Sequence, residues 1–190
     1  MIIRLFTNII FFLLILLTLN LQAKETWILD KELSTINFEI PVFLTENVKG
    51  TFKKIDGVVE IDTENKKNNK AIFSVNISSI QINYKKYKTL LLSDIFFDIK
   101  KFPLALVDTK KFSYENQNKL NLDVELQIKG KSQNVPLQLE IKQLAEELIQ
   151  IKGKLFFSRN FYNIGTGKWS STKILKDKGM ITTNLFLFKK

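Results

Sequence analysis

The chain has 190 residues, carries 29 Lys and Arg against 19 Asp and Glu for a formal charge of +10, and contains neither His nor Cys. Those absences remove imidazole bases, His or thiolate metal sites, Ser-His-Asp arrangements, nucleophilic cysteines and disulfides. The positive balance is nearly all Lys, spread along strand faces and loops such as Lys66, Lys67 and Lys70. Arg is the residue suited to bidentate phosphate recognition, so this scatter reads as solvated surface rather than a nucleic-acid interface. It is compatible with weak, transient attraction to anionic head groups.

Residues 1–23 open with Arg4, run through the apolar Ile9 to Leu17 and end in Leu21, Gln22 and Ala23. A basic start, an apolar run and a small terminal residue describe a secretory signal peptide, with cleavage expected after Ala23. The competing reading is an uncleaved membrane anchor, because the run approaches the length of a span. No Cys follows it, which excludes a lipidated lipoprotein. Residues 24–190 then form one domain, and an exported protein without Cys suits a bacterial periplasm.

Strand periodicity dominates the rest of the chain. Thr26 to Asp30 reads as a short strand, with a polar turn at Lys31 and Glu32. Ile36, Phe38, Ile40 and Val42 alternate with polar residues and share a face, while Pro41 marks a bend or an edge. Val48, Gly50 and Phe52 share the next face, Gly50 where the backbone kinks or a neighbour comes close. Asp56-Gly57 reads as a tight turn before Val58 to Ile61, and Asp62 to Asn69 as a solvated loop tip. Phe73, Val75 and Ile77 face together in the following strand.

From Tyr84 the period changes. Tyr87, Leu90, Leu91 and Asp94 fall at helical spacing, predicting a short helix over Tyr84 to Ser93, with Ser93 and Asp94 capping a further turn that carries Ile95, Phe96 and Phe97. Pro103 ends this insert, and strand pattern returns at Leu104 to Phe112. In the clearest stretch, Leu120, Leu122, Val124, Leu126 and Ile128 alternate without a break with Asn121, Asp123, Glu125, Gln127 and Lys129. Residues 130–134 supply turn chemistry, and Val135, Leu137, Leu139 and Ile141 resume the alternation, giving an antiparallel pair with one dry face. Further strands are expected at Leu148 to Phe157 and Gly179 to Phe188. Between them lies a loop rich in aromatics and glycine, with Phe161, Tyr162, Gly165, Gly167 and Trp169.

Eight or nine short strands and one helical insert predict an all-β fold. An eight-stranded antiparallel barrel is preferred over a sandwich, and such a barrel has an interior either just filled or wide enough for one small ligand. The acidic pairs Glu146-Glu147 and Asp94 with Asp98 read as solvated faces rather than acid/base pairs. Gly165-Thr166-Gly167-Lys168 lacks the spacing and following helix of a phosphate loop. No catalytic residue, metal site or cofactor is assigned, although composition leaves Ser or Lys chemistry open.

The excess is in phenylalanine, 16 residues against 2 Trp and 4 Tyr. Phe offers apolar surface without a polar handle. Phe38, Phe52, Leu122 and Leu126 are therefore expected to line a tunnel, with Leu91, Phe96, Phe97, Phe161 and Trp169 covering its mouth. A cavity so lined suits a long hydrocarbon better than a polar metabolite. The rival readings are a filled core in a stress-related interaction module, an outer-membrane barrel with its apolar face outward, and a lipid-acting enzyme.

These residues resemble the YceI-like domain family of polyisoprenoid-binding periplasmic proteins. The likeness runs from Trp27-Ile28-Leu29-Asp30 and Ser34-Thr35-Ile36-Asn37-Phe38 through Val48-Lys49-Gly50-Thr51-Phe52 and Asp56-Gly57-Val58-Val59. It continues in Leu91 to Asp98 with Phe102-Pro103, which is similar to the family's L-x-S-x-D-F-F-D stretch with one residue shifted. Leu126 to Gly130, Val135-Pro136-Leu137 and Ser158-Arg159-Asn160-Phe161 complete it. The chain departs from the family in lacking His near the second strand and before the L-x-S stretch. The resemblance implies a lipocalin-like barrel that holds an isoprenoid or similar long-chain lipid, often as a homodimer, without catalytic residues.

Overall fold

A computed structural model describes residues 24–190; the expected signal peptide at residues 1–23 lies outside them. The described residues form a single antiparallel sheet of eleven strands. In chain order these are β1 (Lys24–Leu29), β2 (Thr35–Ile40), β3 (Val48–Phe52), β4 (Ile55–Asp62), β5 (Lys70–Asn76), β6 (Ile80–Ile82), β7 (Leu104–Asp108), β8 (Lys119–Ile128), β9 (Lys131–Ala145), β10 (Leu148–Ser158) and β11 (Lys178–Lys189). Among the described residues the one α-helix, α1 (Lys88–Leu92), follows a 3-10 turn at Lys85–Tyr87.

The pairings reduce eleven strands to eight staves. β11 pairs with β2 through Met180 to Asn184 and with β1 through Leu187 to Lys189, so β1 and β2 are two halves of one interrupted strand. β3 lies on β2 while β4 lies on β1, and β6 lies on β3 while β5 lies on β4. The staves close as an up-and-down barrel, the expected eight-stranded architecture, which removes sheet edges where it is complete.

The three interruptions lie side by side, and the second and third are bonded to each other. Residues 30–34 bulge out opposite Phe186, whose carbonyl accepts from the Asp30 N–H at 2.8 Å while its N–H donates to Ser34 Oγ at 2.9 Å. The N–H groups of Lys53 and Lys54 both donate to Ser79 Oγ, at 3.1 and 3.0 Å. Ser79 thus joins the break in the second stave to the break in the third and satisfies both N–H groups of Lys53 and Lys54.

Several local expectations change. Asp56-Gly57 is not a turn: both residues lie inside β4, with Gly57 opposite Phe73 on β5. A Cβ at Gly57 would lie 2.1 Å from the Phe73 ring, so the glycine is there because a ring crosses it. The β8–β9 turn is only Lys129 and Gly130, both at positive φ as a type I′ turn requires, and residues 131–134 already belong to β9. The loop after β4 is not wholly solvated, because Asp62 and Asn69 are buried at its base. There Asn69 Oδ1 accepts from the Asp62 N–H, and Asp62 Oδ1 accepts from the Glu64 and Asn65 N–H groups. Ser93 both caps the end of α1, its hydroxyl donating to the Leu90 carbonyl at 2.7 Å, and opens the expected turn, its carbonyl accepting from the Phe96 N–H at 3.1 Å.

Inward-facing side chains follow the period of two. Ile36, Phe38 and Ile40 on β2, Val135 and Leu137 on β9, and Ile151 and Leu155 on β10 are buried in one apolar cluster. No helix among the described residues is long and apolar enough to cross a membrane.

Candidate functional site: a tunnel along the barrel

The inward faces do not meet. They enclose a cavity of about 820 Å³ that runs the length of the barrel. That is roughly five times the ~150 Å³ apolar cavity that takes up benzene, so it is no packing defect. Its middle is lined by apolar side chains from every stave, among them Ile36, Val59, Val75, Leu122, Leu137 and Ile151.

Of the nine residues expected at the site, eight line this cavity: Phe38, Phe52, Leu91, Phe96, Phe97, Leu122, Leu126 and Trp169. The tunnel and mouth groups stand as the elements dictate. Phe38 and Phe52 come from neighbouring strands, with ring centroids 5.7 Å apart. Leu122 and Leu126 project from the same face of β8. Leu91 is the buried residue of α1, and the turn after it is closed by Phe97 N–H donating to the Leu91 carbonyl and Phe96 N–H to that of Ser93.

Phe161 does not join them. It is 39% exposed, packs edge-on against Tyr162 at 4.9 Å, and has Lys131 Nζ both over its ring and bonded to its carbonyl. The turn after β10 directs Tyr162 inward in its place, so the aromatic that reaches the interior is the one following Phe161. Tyr162 is fully buried, donates to the Leu126 carbonyl at 3.0 Å, and burial pushes its phenol up to about 12.

One end of the tunnel is partly covered by two clamped segments. The Ile95 carbonyl accepts from the Gly165 and Thr166 N–H groups at 2.9 and 3.0 Å, and the rings of Phe96 and Trp169 meet edge to face at 5.7 Å. Lys129 Nζ, on the β8–β9 turn, donates to the Asp94 carbonyl at 2.6 Å and the Asn163 carbonyl at 2.9 Å, tying both segments to the barrel rim. Partial burial lowers its ammonium pKa, with Asp98 and Asp94 opposing the shift.

The residue that shapes this end was not singled out for the site from the sequence. Arg159 is fully buried and donates only to backbone carbonyls. Nε reaches Lys176, Nη1 reaches Ile164 at 3.0 Å, and Nη2 reaches Ser171 at 3.0 Å and Leu175 at 2.7 Å. Burial lowers its pKa, opposed by Asp177. All its donors are spent on the loop between β10 and β11, so it builds the rim and offers nothing to a ligand. Its sequence signals were being the lone Arg of residues 24–190, in a chain otherwise basic through Lys, and standing in the Ser158 to Phe161 stretch of the family resemblance.

The opposite end is more polar, lined by Glu25, Asn116, Asn118, Glu146 and Lys189, with a 2.7 Å Glu25–Lys189 ion pair. No group of three or more His, Cys, Asp or Glu is placed to hold a metal among the described residues. Every buried side-chain nitrogen or oxygen there has a partner. The site offers shape and apolar surface.

Comparison with known proteins gives the same architecture. A family model described as YceI-like domain matches residues 27–186. The crystal structure of BcnA from Burkholderia cenocepacia is similar at a TM-score of 0.75 and 25% identity, over 83% of this chain and 98% of that one. A polyisoprenoid-binding domain from Saccharophagus degradans, implicated in plant cell wall breakdown, matches at 0.68 and 15% identity, over 86% and 98%. The YceI protein of Campylobacter jejuni matches at 0.61 and 25%, over 80% and 90%. No curated protein matches.

Proposed function

Because the chain belongs to the YceI-like domain family, we propose that it is a periplasmic binding or carrier protein whose barrel holds one long-chain apolar lipid, of polyisoprenoid or fatty-acyl type. The observation that carries the reading is the continuous apolar tunnel of about 820 Å³. A polar metabolite placed there would lose its hydrogen bonds to water and find few replacements. A flexible hydrocarbon loses nothing polar and gains about 25 cal/mol per Å² of surface removed from water. The unfilled lining, conversely, forgoes dispersion contacts on its inner side.

Phe38, Phe52, Leu122 and Leu126 form the contact surface along the chain of the lipid, and Leu91, Phe96, Phe97 and Trp169 enclose its end. Phe161 is given no ligand contact. Export rests on residues 1–23 acting as a cleaved signal peptide. Binding and release, with no covalent step, are the whole of the activity proposed.

The reading is tested by stripping the protein with organic solvent and adding back dispersed polyisoprenol or a long fatty acid. At ligand a thousandfold above Kd, linkage gives about 4 kcal/mol of stabilisation. For a domain of this size, that raises Tm by roughly 8–16 °C. An unchanged Tm with both ligands would overturn the proposal.

A further inference from the structure

At the same end that the clamped segments partly cover, the tunnel opens between the β2–β3 loop and the 84–88 segment, and this rim carries exposed apolar side chains that the interior does not need. Phe43 is 55% exposed, Leu44 88% and Ile174 66%, and Tyr87 is exposed beside them on the cavity rim. Phe43 and Ile174 are held together, the Phe43 N–H donating to the Ile174 carbonyl at 2.9 Å and Val42 bridging Leu175. Leu44 stands at the tip with φ +59°, a left-handed conformation that is unfavourable for a bulky residue. Solvent gives an apolar side chain no reason to occupy such a position, so the strain and the exposure point to a contact made by the tip.

The tip is also anchored. Asn47 Oδ1 accepts from the Val42 N–H, and Asn47 Nδ2 donates to the Glu39 carboxylate. Asn83 Nδ2 donates to the Asn47 carbonyl at 3.0 Å, and Tyr84 Oη to that of Glu46 at 3.3 Å. Phe43 and Leu44 are therefore presented on a fixed support.

The charge around them is mostly positive. Segments 84–88 and 166–176, together with 41–47, contain Lys85, Lys86, Lys88, Lys168, Lys173 and Lys176, with Glu46 as their one carboxylate. Lys176 Nζ lies 5.2 Å from the Phe43 ring centre and Lys86 Nζ 5.1 Å from that of Tyr87. Insertable aromatic and aliphatic tips ringed by lysines match an anionic bilayer surface, where apolar groups enter the acyl boundary and ammonium groups meet phosphates.

We propose that this rim, with Phe43 and Leu44 as its inserting tip, docks the barrel mouth on anionic lipid membranes. Docking would open the tunnel directly onto the acyl layer, so cargo could pass without crossing water. That consequence rests on the lipid-carrier reading; docking itself does not.

The test uses protein recovered from the producing cell without detergent, co-sedimented with vesicles of neutral phospholipid alone or with phosphatidylglycerol added, while bound lipid is assayed separately. Binding should require the anionic lipid, weaken with salt, and fall about tenfold in Phe43→Ser and in Leu44→Ser. Phe188→Ser, at an exposed ring at the opposite end of the barrel, should bind as the parent does. Leu44→Ser changes a fully solvated side chain, so folding failure does not obscure the result. Equal binding by parent and Leu44→Ser, or binding indifferent to phosphatidylglycerol, overturns the proposal. Docking by an empty protein would sink the carrier reading and leave this one standing, and a loaded protein that ignores vesicles would do the reverse.

Discussion

The ring of Phe38 lies across the inner face of Gly50, its cross-strand partner, so closely that a Cβ there would stand 2.1 Å from Phe38 Cε1. The wall thus takes in the ring, and the lumen beside Phe38 stays open. Gly50→Ala must push this ring toward the tunnel axis or off its rotamer, a change that costs about 1–3 kcal/mol. Thermal unfolding should register that loss, with reduced lipid content per molecule. A fully stable, fully loaded Gly50→Ala protein would show that the ring has room elsewhere.

Filling the lumen from a different stave should separate binding from folding. Ala105 on β7 lines the cavity from a partly buried position. Ala105→Phe extends into open space rather than packed core, so the usual overpacking penalty should be absent. The expected outcome is an unchanged or higher Tm with markedly lower lipid stoichiometry. Parental lipid content would mean that the cargo does not occupy the β7 side of the tunnel.

Arg159 makes a sharper prediction, because its planar fork serves several carbonyls of one loop at once. Lys has three donors on a flexible stem and cannot reproduce that pattern. With hydrogen bonds to charged groups worth about 1.5–3 kcal/mol each, Arg159→Lys should lose about 3 kcal/mol or more in urea unfolding. Proteolytic nicking should appear within residues 160–177. Retention of parental stability would mean that the loop holds its shape without the guanidinium.

Tyr162 sets an alkaline limit. An unfolded tyrosine ionises near 10, whereas burial holds this phenol neutral up to about 12. Below about pH 10 both states are protonated and the group adds no pH dependence. Between there and 12 the unfolded chain alone releases the proton, so stability falls as pH rises. Tyr162→Phe should flatten that fall while losing about 1 kcal/mol at neutral pH with the bond to the Leu126 carbonyl. Phenolate absorbance followed during a pH jump should show a late component, absent from Tyr162→Phe, that appears together with unfolding.

Much of this architecture was legible in period-two alternation. Leu120 to Ile128 and Val135 to Ile141 announced a hairpin with one dry face, and the change of period at Tyr84 marked the insert that carries Leu91, Phe96 and Phe97. The broken staves were not legible, because an interruption such as Lys53-Lys54 reads like any polar junction until the register shows that the chain continues in the same direction. Asp56-Gly57 misled for a related reason. The dipeptide carries turn propensity, but here the glycine answers to Phe73 on the next strand, a tertiary demand invisible in local sequence. Phe161 was assigned to the mouth because it lies outside the strands in the glycine-rich loop, and one step of chain direction buries Tyr162 instead. Arg159 escaped because its partners are backbone carbonyls, which leave no trace in side-chain pattern.

The measurement that tests the central claim most directly is native mass spectrometry of protein recovered without detergent, followed by organic extraction of whatever is bound. The account predicts one long-chain isoprenoid or acyl lipid per barrel, released together with a loss of thermal stability. A fully soluble, empty protein whose Tm is unchanged by extraction would contradict it, and the tunnel would then be a feature of an interaction module rather than a lipid site.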